Sequence, residues 1–325
     1  MVEILRPHAV RPGDVVAVAA LSAPLMPADE PLLDRGVAVL ESAGFRVRVA
    51  ALVVDGSRRW WSAGSPERIA GEFNGLLRDP QVRAVVAHTG GNTTASYLDL
   101  VDLDAIRADP KPILGYSDVS LLTLSLYARL GLVGFHADFA THGMGLDWFG
   151  LADAARRAQL ADVYRRVLAG DAPVVLPPSR PDAWATWRPG VAEGRLVGGL
   201  LNRIVRLQAT PYALRQHFDG ALLFWEEVRR PLEWVWNDLH LLRVAGVLDR
   251  IAGMVVGVPL EVSTEYPDPP SLRDVVLDVV GGRDLPILAG VDFGHTSANL
   301  PLPLGVRASL DASARTLTLL ESAVR

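Results

Sequence analysis

Three residues able to take part in acyl transfer each stand at the end of an apolar run of the sequence. These residues are Ser117, Glu226 and His295. A serine nucleophile needs a base within hydrogen-bond reach and a third group that orients the base. The three residue types, in similar local contexts, therefore indicate hydrolysis by an activated serine.

Ser117 lies at a sharp turn between a short apolar segment and the helix-like run 121–128. A turn of this kind lifts a hydroxyl above the end of a sheet and directs backbone N–H groups at the same point. The full G-x-S-x-G pattern is absent, because Val119 occupies the position of the second glycine. The alternative is that Ser117 or Asp118 only caps the following helix, as both residue types often do.

The acid and the histidine also have structural alternatives. The apolar strand 221–225 is followed by both Glu226 and Glu227, and strand parity does not choose between them. Either carboxylate could belong to a solvated strand end. His295 follows Gly294, which permits unusual backbone angles and leaves room for a substrate, yet a lone histidine is often structural.

The loop 88–94 contains paired glycines after an apolar strand. Glycines allow backbone N–H groups to approach a ligand closely, so this loop could stabilise an oxyanion or cradle a phosphate. It matches neither G-x-G-x-x-G nor a Walker sequence. An oxyanion role is therefore the preferred interpretation.

The composition of the chain excludes several classes of protein. The 325 residues carry a net charge of −5 and include no cysteine, which argues against nucleic-acid binding, disulfides and thiolate chemistry. The seven histidines lack metal-ligand spacing, so we expect neither a metal nor another cofactor. No apolar run has membrane-spanning length, and the first residues do not resemble a signal peptide. We expect a cytoplasmic protein without membrane contacts.

Strand and helix patterns alternate along the first half of the chain. Buried-strand patterns at 15–20, 45–49 and 82–88 alternate with helical patterns, and strands near Ile113 and at 132–136 continue the series. Such a series predicts a doubly wound parallel sheet of the flavodoxin or Rossmann type, with ligands at the carboxyl ends of the strands. We assign residues 1–169 to this N-terminal α/β domain.

The composition changes at 170–190, which is rich in proline and contains Trp184 and Trp187. We interpret this segment as a connector loop between domains. Residues 191–325 form the second domain, which is mixed α/β with shorter strands. Its predicted elements are strands at 221–226, 251–258, 287–293 and 306–319 and helices at about 233–248 and 272–280.

A set of short stretches, in this order and rough spacing, resembles the LD-carboxypeptidase family of serine peptidases. The matching stretches are Arg11–Asp14, Thr89–Thr94, Gly115–Asp118, Gly134–His136, Glu193–Gly199, Leu223–Glu227 and Phe293–His295. They span nearly the whole chain. Each stretch is short, but the ordered set is specific.

The resemblance implies a role for each candidate residue. Ser117 would be the nucleophile, His295 the general base and then acid, and Glu226 the group that orients His295. The backbone N–H groups of Gly91 and Asp118 would form the oxyanion hole. Gly90 and Asn92, in the same glycine loop, would contact the substrate. The family fold is an α/β domain followed by a smaller, β-rich α/β domain, usually in a homodimer.

The sequence of the glycine loop is similar to that of the microcin C self-immunity branch of the family. The resemblance therefore implies hydrolysis of an amide in peptidyl or aminoacyl nucleotides. Trp184 or Trp187 would stack on the base of the nucleotide. The alternative is that these tryptophans only pack the connector onto a domain. One alternative is a murein LD-carboxypeptidase that releases terminal D-alanine from tetrapeptides. Another is a non-catalytic nucleotide- or peptide-binding protein. One departure concerns Leu200, because the family commonly has asparagine after Gly198 and Gly199.

Overall fold

The computed structural model describes residues 3–295 and 299–325, which form two β-sheets with helices packed around them. The helices are α1 (Glu30–Ser42), α2 (Ala51–Val54), α3 (Pro66–Arg78), α4 (Leu103–Ala108), α5 (Ser120–Leu130), α6 (Ala154–Ala169), α7 (Leu201–Leu207), α8 (Leu232–Val244) and α9 (Leu272–Val280). A π-helical segment, Ala140–Trp148, packs against α1.

The first sheet has six strands, in the order β12-β5-β4-β3-β1-β2. Its strands are β1 (Val15–Ala19), β2 (Arg46–Val49), β3 (Val82–Ala87), β4 (Ile113–Leu114), β5 (Phe135–His136) and β12 (Leu302–Pro303). Strands β1 to β5 are parallel, and β12 pairs antiparallel with β5. All five residues of β1 are buried, as expected for an apolar strand covered on both faces by helices.

The second sheet has eight strands, in the order β6-β14-β13-β8-β9-β10-β11-β7. They are β6 (Val174–Val175), β7 (Ala185–Arg188), β8 (Val191–Leu200), β9 (Leu222–Glu226), β10 (Gly253–Val258), β11 (Ile287–Gly294), β13 (Arg307–Asp311) and β14 (Thr316–Leu319). The central strands β8 to β11 are parallel. Their carboxyl ends therefore meet at one edge, where Glu226 ends β9 and Gly294 ends β11.

The predicted fold class is confirmed: a parallel α/β sheet in the N-terminal part is followed by a second sheet. Several details differ from the sequence analysis, among them strands β6, β7 and β12, which were not predicted. The single strand expected at 306–319 is a hairpin of β13 and β14, with Arg315 in a left-handed conformation at its turn. Helix α7 and most of the long strand β8 had no counterpart among the predicted elements.

The chain passes between the two sheets more than once. The segment 170–190 contributes β6 and β7 to opposite edges of the second sheet. Strand β12 then returns from the second sheet to the edge of the first. The division at 170–190 into two domains stays a prediction.

Gly198 allows β8 to lie close to β9. A Cβ at this position would lie 1.7 Å from the carbonyl oxygen of Phe224, so no side chain fits. The close approach brings α7, which follows β8 directly, to the edge where Glu226 ends β9.

Candidate active site

Ser117 begins a short 3-10 turn, Ser117–Val119, between β4 and α5. Its φ of 55° is a left-handed conformation that residues with a side chain rarely adopt, and such strain is common at functional sites. Neither Ser117 nor Asp118 caps α5, whose N-cap residue is Val119. The alternative in which Ser117 or Asp118 caps the helix therefore does not hold.

Gly90 lies directly against the Ser117 side chain. A Cβ on Gly90 would lie 3.0 Å from Ser117 Cβ and 3.1 Å from Ser117 Oγ, closer than side chains normally pack. The glycine loop and the serine turn are therefore in contact across β3 and β4, which are neighbours in the sheet.

His295 is hydrogen-bonded to Glu226. The His295 Nδ1 to Glu226 Oε2 distance is 2.8 Å, and Glu226 is buried. Because a carboxylate can only accept, the hydrogen bond places the proton on Nδ1 and leaves Nε2 able to accept a proton. The His295 ring also makes an edge contact with Tyr116, with ring centroids 4.8 Å apart. The histidine therefore lies beside the turn that holds Ser117.

Glu227 makes a different set of contacts. Its carboxylate accepts hydrogen bonds from Asn202 Nδ2 at 2.7 Å, from the Asn202 backbone N–H at 3.1 Å and from the Val228 backbone N–H at 3.0 Å. Burial raises the pKa of Glu227. Of the two acids that the sequence left open, Glu226 is the one that contacts the histidine.

Two backbone N–H groups near Ser117 have no acceptor within residues 3–295 and 299–325. Among the described residues, neither the N–H of Gly91 nor that of Asp118 donates a hydrogen bond. Gly91 has a φ of 147°, and a Cβ there would lie 2.6 Å from Ser22 Oγ. Asn92 uses its Oδ1 to accept a hydrogen bond from Arg203 at 2.6 Å. Its amide nitrogen remains a potential donor to a ligand.

The two connector tryptophans have different environments. Trp184 is buried and donates from Nε1 to Asp292 Oδ2 at 2.7 Å. Trp187 lies on β7 and is half-buried. Leu200, at the position where the family commonly has asparagine, is buried, and its side chain is apolar.

The sequence analysis missed Asp138, which is fully buried just after β5. Its carboxylate accepts hydrogen bonds from Trp148 Nε1 and from Asn299. The Oδ1 of Asn299 in turn accepts a hydrogen bond from the backbone N–H of Gly294. Burial raises the pKa of Asp138 to about 7, although these hydrogen bonds oppose the shift. Its only signal in the sequence is an acid shortly after a strand.

A second histidine, His136, lies close to the candidate site. It is buried against Tyr116, Phe224 and Phe293, with ring centroids 5.6 to 5.7 Å apart. Burial lowers the pKa of His136 to about 3, because a charged imidazole would lose its hydration there. No side chain of the described residues hydrogen-bonds its Nε2.

Two family models match the chain. The LD-carboxypeptidase N-terminal domain matches residues 16–137, and the LD-carboxypeptidase C-terminal domain matches residues 193–310. A putative carboxypeptidase of Streptomyces coelicolor is 33% identical over 98% of this chain and 97% of its own length. The chain belongs to the LD-carboxypeptidase family. As a family member it is a serine-type carboxypeptidase or amidohydrolase, rather than a non-catalytic binding protein.

Two other relatives are named, one as a microcin self-immunity protein and one as a probable murein peptide carboxypeptidase. The microcin C7 self-immunity protein MccF of Escherichia coli is 27% identical over 95% of this chain and 94% of its own. The probable murein peptide carboxypeptidase of Bacillus subtilis is 28% identical over 97% of this chain and 94% of its own. The structure of MccF in complex with glutamyl sulfamoyl guanosine matches with a TM-score of 0.88 and 25% identity, covering 99% of this chain and 100% of that one.

Within the described ranges, no helix is long and apolar enough to cross a membrane. In the same ranges, no group of three or more potential ligands is arranged to hold a metal ion. The cytoplasmic location and the homodimer expected from the sequence stay predictions.

Proposed function

We propose that this protein hydrolyses an amide bond in peptidyl or aminoacyl nucleotides through a triad of Ser117, His295 and Glu226. The observation that carries the proposal is the hydrogen bond between His295 and the buried Glu226, formed beside the strained turn of Ser117. A nucleophile, a base and a group that orients the base are the elements this reaction requires.

The reaction has two stages. Ser117 Oγ attacks the amide carbonyl and gives its proton to His295 Nε2, forming a tetrahedral oxyanion. The C–N bond then breaks, the proton passes from His295 to the leaving amine, and an acyl-enzyme remains. Water attacks the acyl-enzyme with His295 again as base, and Ser117 is released. Glu226 keeps the imidazole in the required tautomer and stabilises its charged form.

The N–H groups of Gly91 and Asp118 are the proposed oxyanion donors. Both lack an acceptor among the described residues. Asp118 directly follows Ser117, and Gly91 directly follows Gly90, which lies against the Ser117 side chain. Donors that are already oriented stabilise the charge that develops in the transition state without further reorganisation. Gly90 and the amide nitrogen of Asn92 complete the proposed contacts to substrate.

A nucleotide substrate is supported by the relatives rather than by a bound ligand. MccF structures contain glutamyl sulfamoyl guanosine and aspartyl sulfamoyl adenosine. Of the two connector tryptophans, Trp187 is the less buried, and we assign the stacking contact to it. Trp184 would first have to leave its hydrogen bond to Asp292. Stacking of a base on an aromatic ring contributes about 1–3 kcal/mol.

The decisive experiment offers the wild type and Ser117→Ala an aspartyl or glutamyl sulfamoyl adenosine and, separately, a murein tetrapeptide. We expect cleavage of the nucleotide compound, with kcat lower by several orders of magnitude in Ser117→Ala. Cleavage of the tetrapeptide alone would assign the protein to murein processing. Retention of more than about a tenth of the turnover in Ser117→Ala would contradict the triad.

A further inference from the structure

We propose that Arg203 is a positioning residue that holds the serine turn and the oxyanion loop against the end of β9. This inference rests on the proposed function. Arg203 lies on α7, and its side chain is only 7% exposed. Arg203 was not among the candidate residues of the sequence analysis, because α7 was not among the predicted elements.

The Arg203 guanidinium contacts two separate segments and the neighbouring residue on its own helix. Its Nε donates to Asp118 Oδ1 at 2.9 Å, and its Nη2 donates to Asn92 Oδ1 at 2.6 Å and to the Gly91 carbonyl at 3.3 Å. Its Nη1 donates to Asn202 Oδ1 at 2.6 Å. The rigid, planar fork of arginine suits this divergent set, which a lysine could not reproduce.

Asp118 extends the network into the first sheet. Its Oδ2 accepts hydrogen bonds from the N–H groups of Thr93 and Thr94 at 2.7 and 2.9 Å and from Ser22 Oγ at 2.7 Å. Asp118 is buried, so the positive charge of Arg203 compensates a carboxylate that would otherwise be buried without a counterion. The loop 91–94 is thus fixed through both Arg203 and Asp118.

Asn202 extends the network into the second sheet. Its backbone N–H and its Nδ2 donate to Glu227, which directly follows Glu226. The continuous series Glu227, Asn202, Arg203, Asp118 therefore begins one residue from the proposed acid and ends one residue from the proposed nucleophile. It links the groups that the two sheets contribute to the reaction.

The location of these contacts predicts a kinetic effect. Arg203 binds the Gly91 carbonyl and Asp118, and the N–H groups of these same two residues are the proposed oxyanion donors. The oxyanion exists only in the transition state and the intermediate. Loss of Arg203 should therefore lower kcat and leave KM largely unchanged.

The test compares Arg203→Met with Arg203→Lys and with Lys111→Met. Lys111 is a matched control, because it is also a buried cation, but it donates to the carbonyls of Leu76, Leu77 and Asp79 at the end of α3. We expect kcat to fall about 10²- to 10³-fold in Arg203→Met, with KM within about threefold of the wild type. Arg203→Lys should recover only part of the loss. Lys111→Met should lower Tm but keep the kcat of the folded enzyme.

Two further readouts separate positioning from general stability. Added guanidinium ion should restore part of the kcat of Arg203→Met without raising its Tm. The rate of covalent labelling of Ser117 by a fluorophosphonate should fall together with kcat. If Arg203→Met does not fold, Arg203→Lys and Asn202→Ala provide the same comparison.

Unchanged kcat in a folded Arg203 variant, or equal losses of kcat in Arg203→Met and Lys111→Met, would overturn the inference. The proposed function fails separately, if Ser117→Ala remains active or the wild type is not labelled by the fluorophosphonate.

Discussion

Asn299 donates two hydrogen bonds to the buried carboxylate of Asp138, one from its backbone N–H at 2.8 Å and one from Nδ2 at 2.5 Å. Its Oδ1 accepts the N–H of Gly294 at 2.5 Å. Asp138 follows a strand of the first sheet, whereas Gly294 ends a strand of the second and precedes His295. The side chain of Asn299 therefore connects the histidine segment to the opposite sheet.

Replacing Asp138 should affect both stability and turnover. In Asp138→Ala, the donors on Asn299 and Trp148 lose their acceptor, which we expect to cost about 1–3 kcal/mol of unfolding free energy. A less well held His295 should also lower kcat by about tenfold or more. Urea unfolding and steady-state kinetics measure the two effects. Asp153→Ala is the control: it removes the N-cap of α6, so it should lose stability but keep kcat.

The two neighbouring acids should respond differently to loss of charge. Glu226→Gln removes the carboxylate that orients His295, and we expect kcat to fall about 10³- to 10⁴-fold. Glu227→Gln keeps a side chain of similar shape, so its kcat should stay within about tenfold of the wild type, with a lower Tm. Equal kcat values for the two variants would argue against the assignment of Glu226 to the triad.

Gly90→Ala should lower activity through contact with the nucleophile. The added Cβ would lie 3.0 to 3.2 Å from atoms of Ser117 and Phe139, so the serine side chain must move. We expect kcat to fall about 10- to 100-fold. In Gly71→Ala, the Cβ on α3 would meet no atom within 4 Å. This control should gain roughly 0.5–1 kcal/mol of stability and keep its kcat. Full activity of Gly90→Ala would show that the close contact does not constrain Ser117.

Acid should destabilise the fold partly through His136. Burial lowers the pKa of His136 to about 3 from its ordinary 6.5, so the unfolded chain binds a proton that the folded protein does not. The stability contributed by neutral His136 is therefore complete above pH 6.5 and is lost as the pH falls toward 3. Between pH 7 and pH 5, the loss from this residue is about 2 kcal/mol. In His136→Gln, the unfolding free energy measured with urea should fall by about 2 kcal/mol less between pH 7 and pH 5 than in the wild type. The same fall in both proteins would mean that His136 is charged in the folded protein.

The sequence was informative about strands and about the residues at their ends. The apolar runs before Glu226 and His295 are long enough to identify strands, whereas the run before Ser117 is short and its strand β4 has only two residues. Sites for ligands lie at the carboxyl ends of parallel strands, which is where all three residues were expected. The choice between Glu226 and Glu227 needed the structure, because it depends on which side of β9 faces the histidine.

Arg203 and Asp138 could not be found from the sequence. Helix α7 is short and starts directly after β8, so its pattern cannot be separated from that of the strand. A single arginine or aspartate is usually a solvated residue, and its burial depends on partners that are distant in the chain. Asp118 pairs with Arg203, and Asp138 pairs with Asn299, across sequence separations of 85 and 161 residues.

The pairing of β12 with β5 has a consequence for the order of folding during synthesis. Strand β12 occupies the edge of the first sheet, yet it is made after β11 of the second sheet. A nascent chain that ends before Leu302 therefore exposes β5, with Phe135 and His136, as an open edge that can pair with another chain. The first sheet therefore cannot be completed until β12 has been made. Fragments cut at the connector should aggregate rather than fold as separate units.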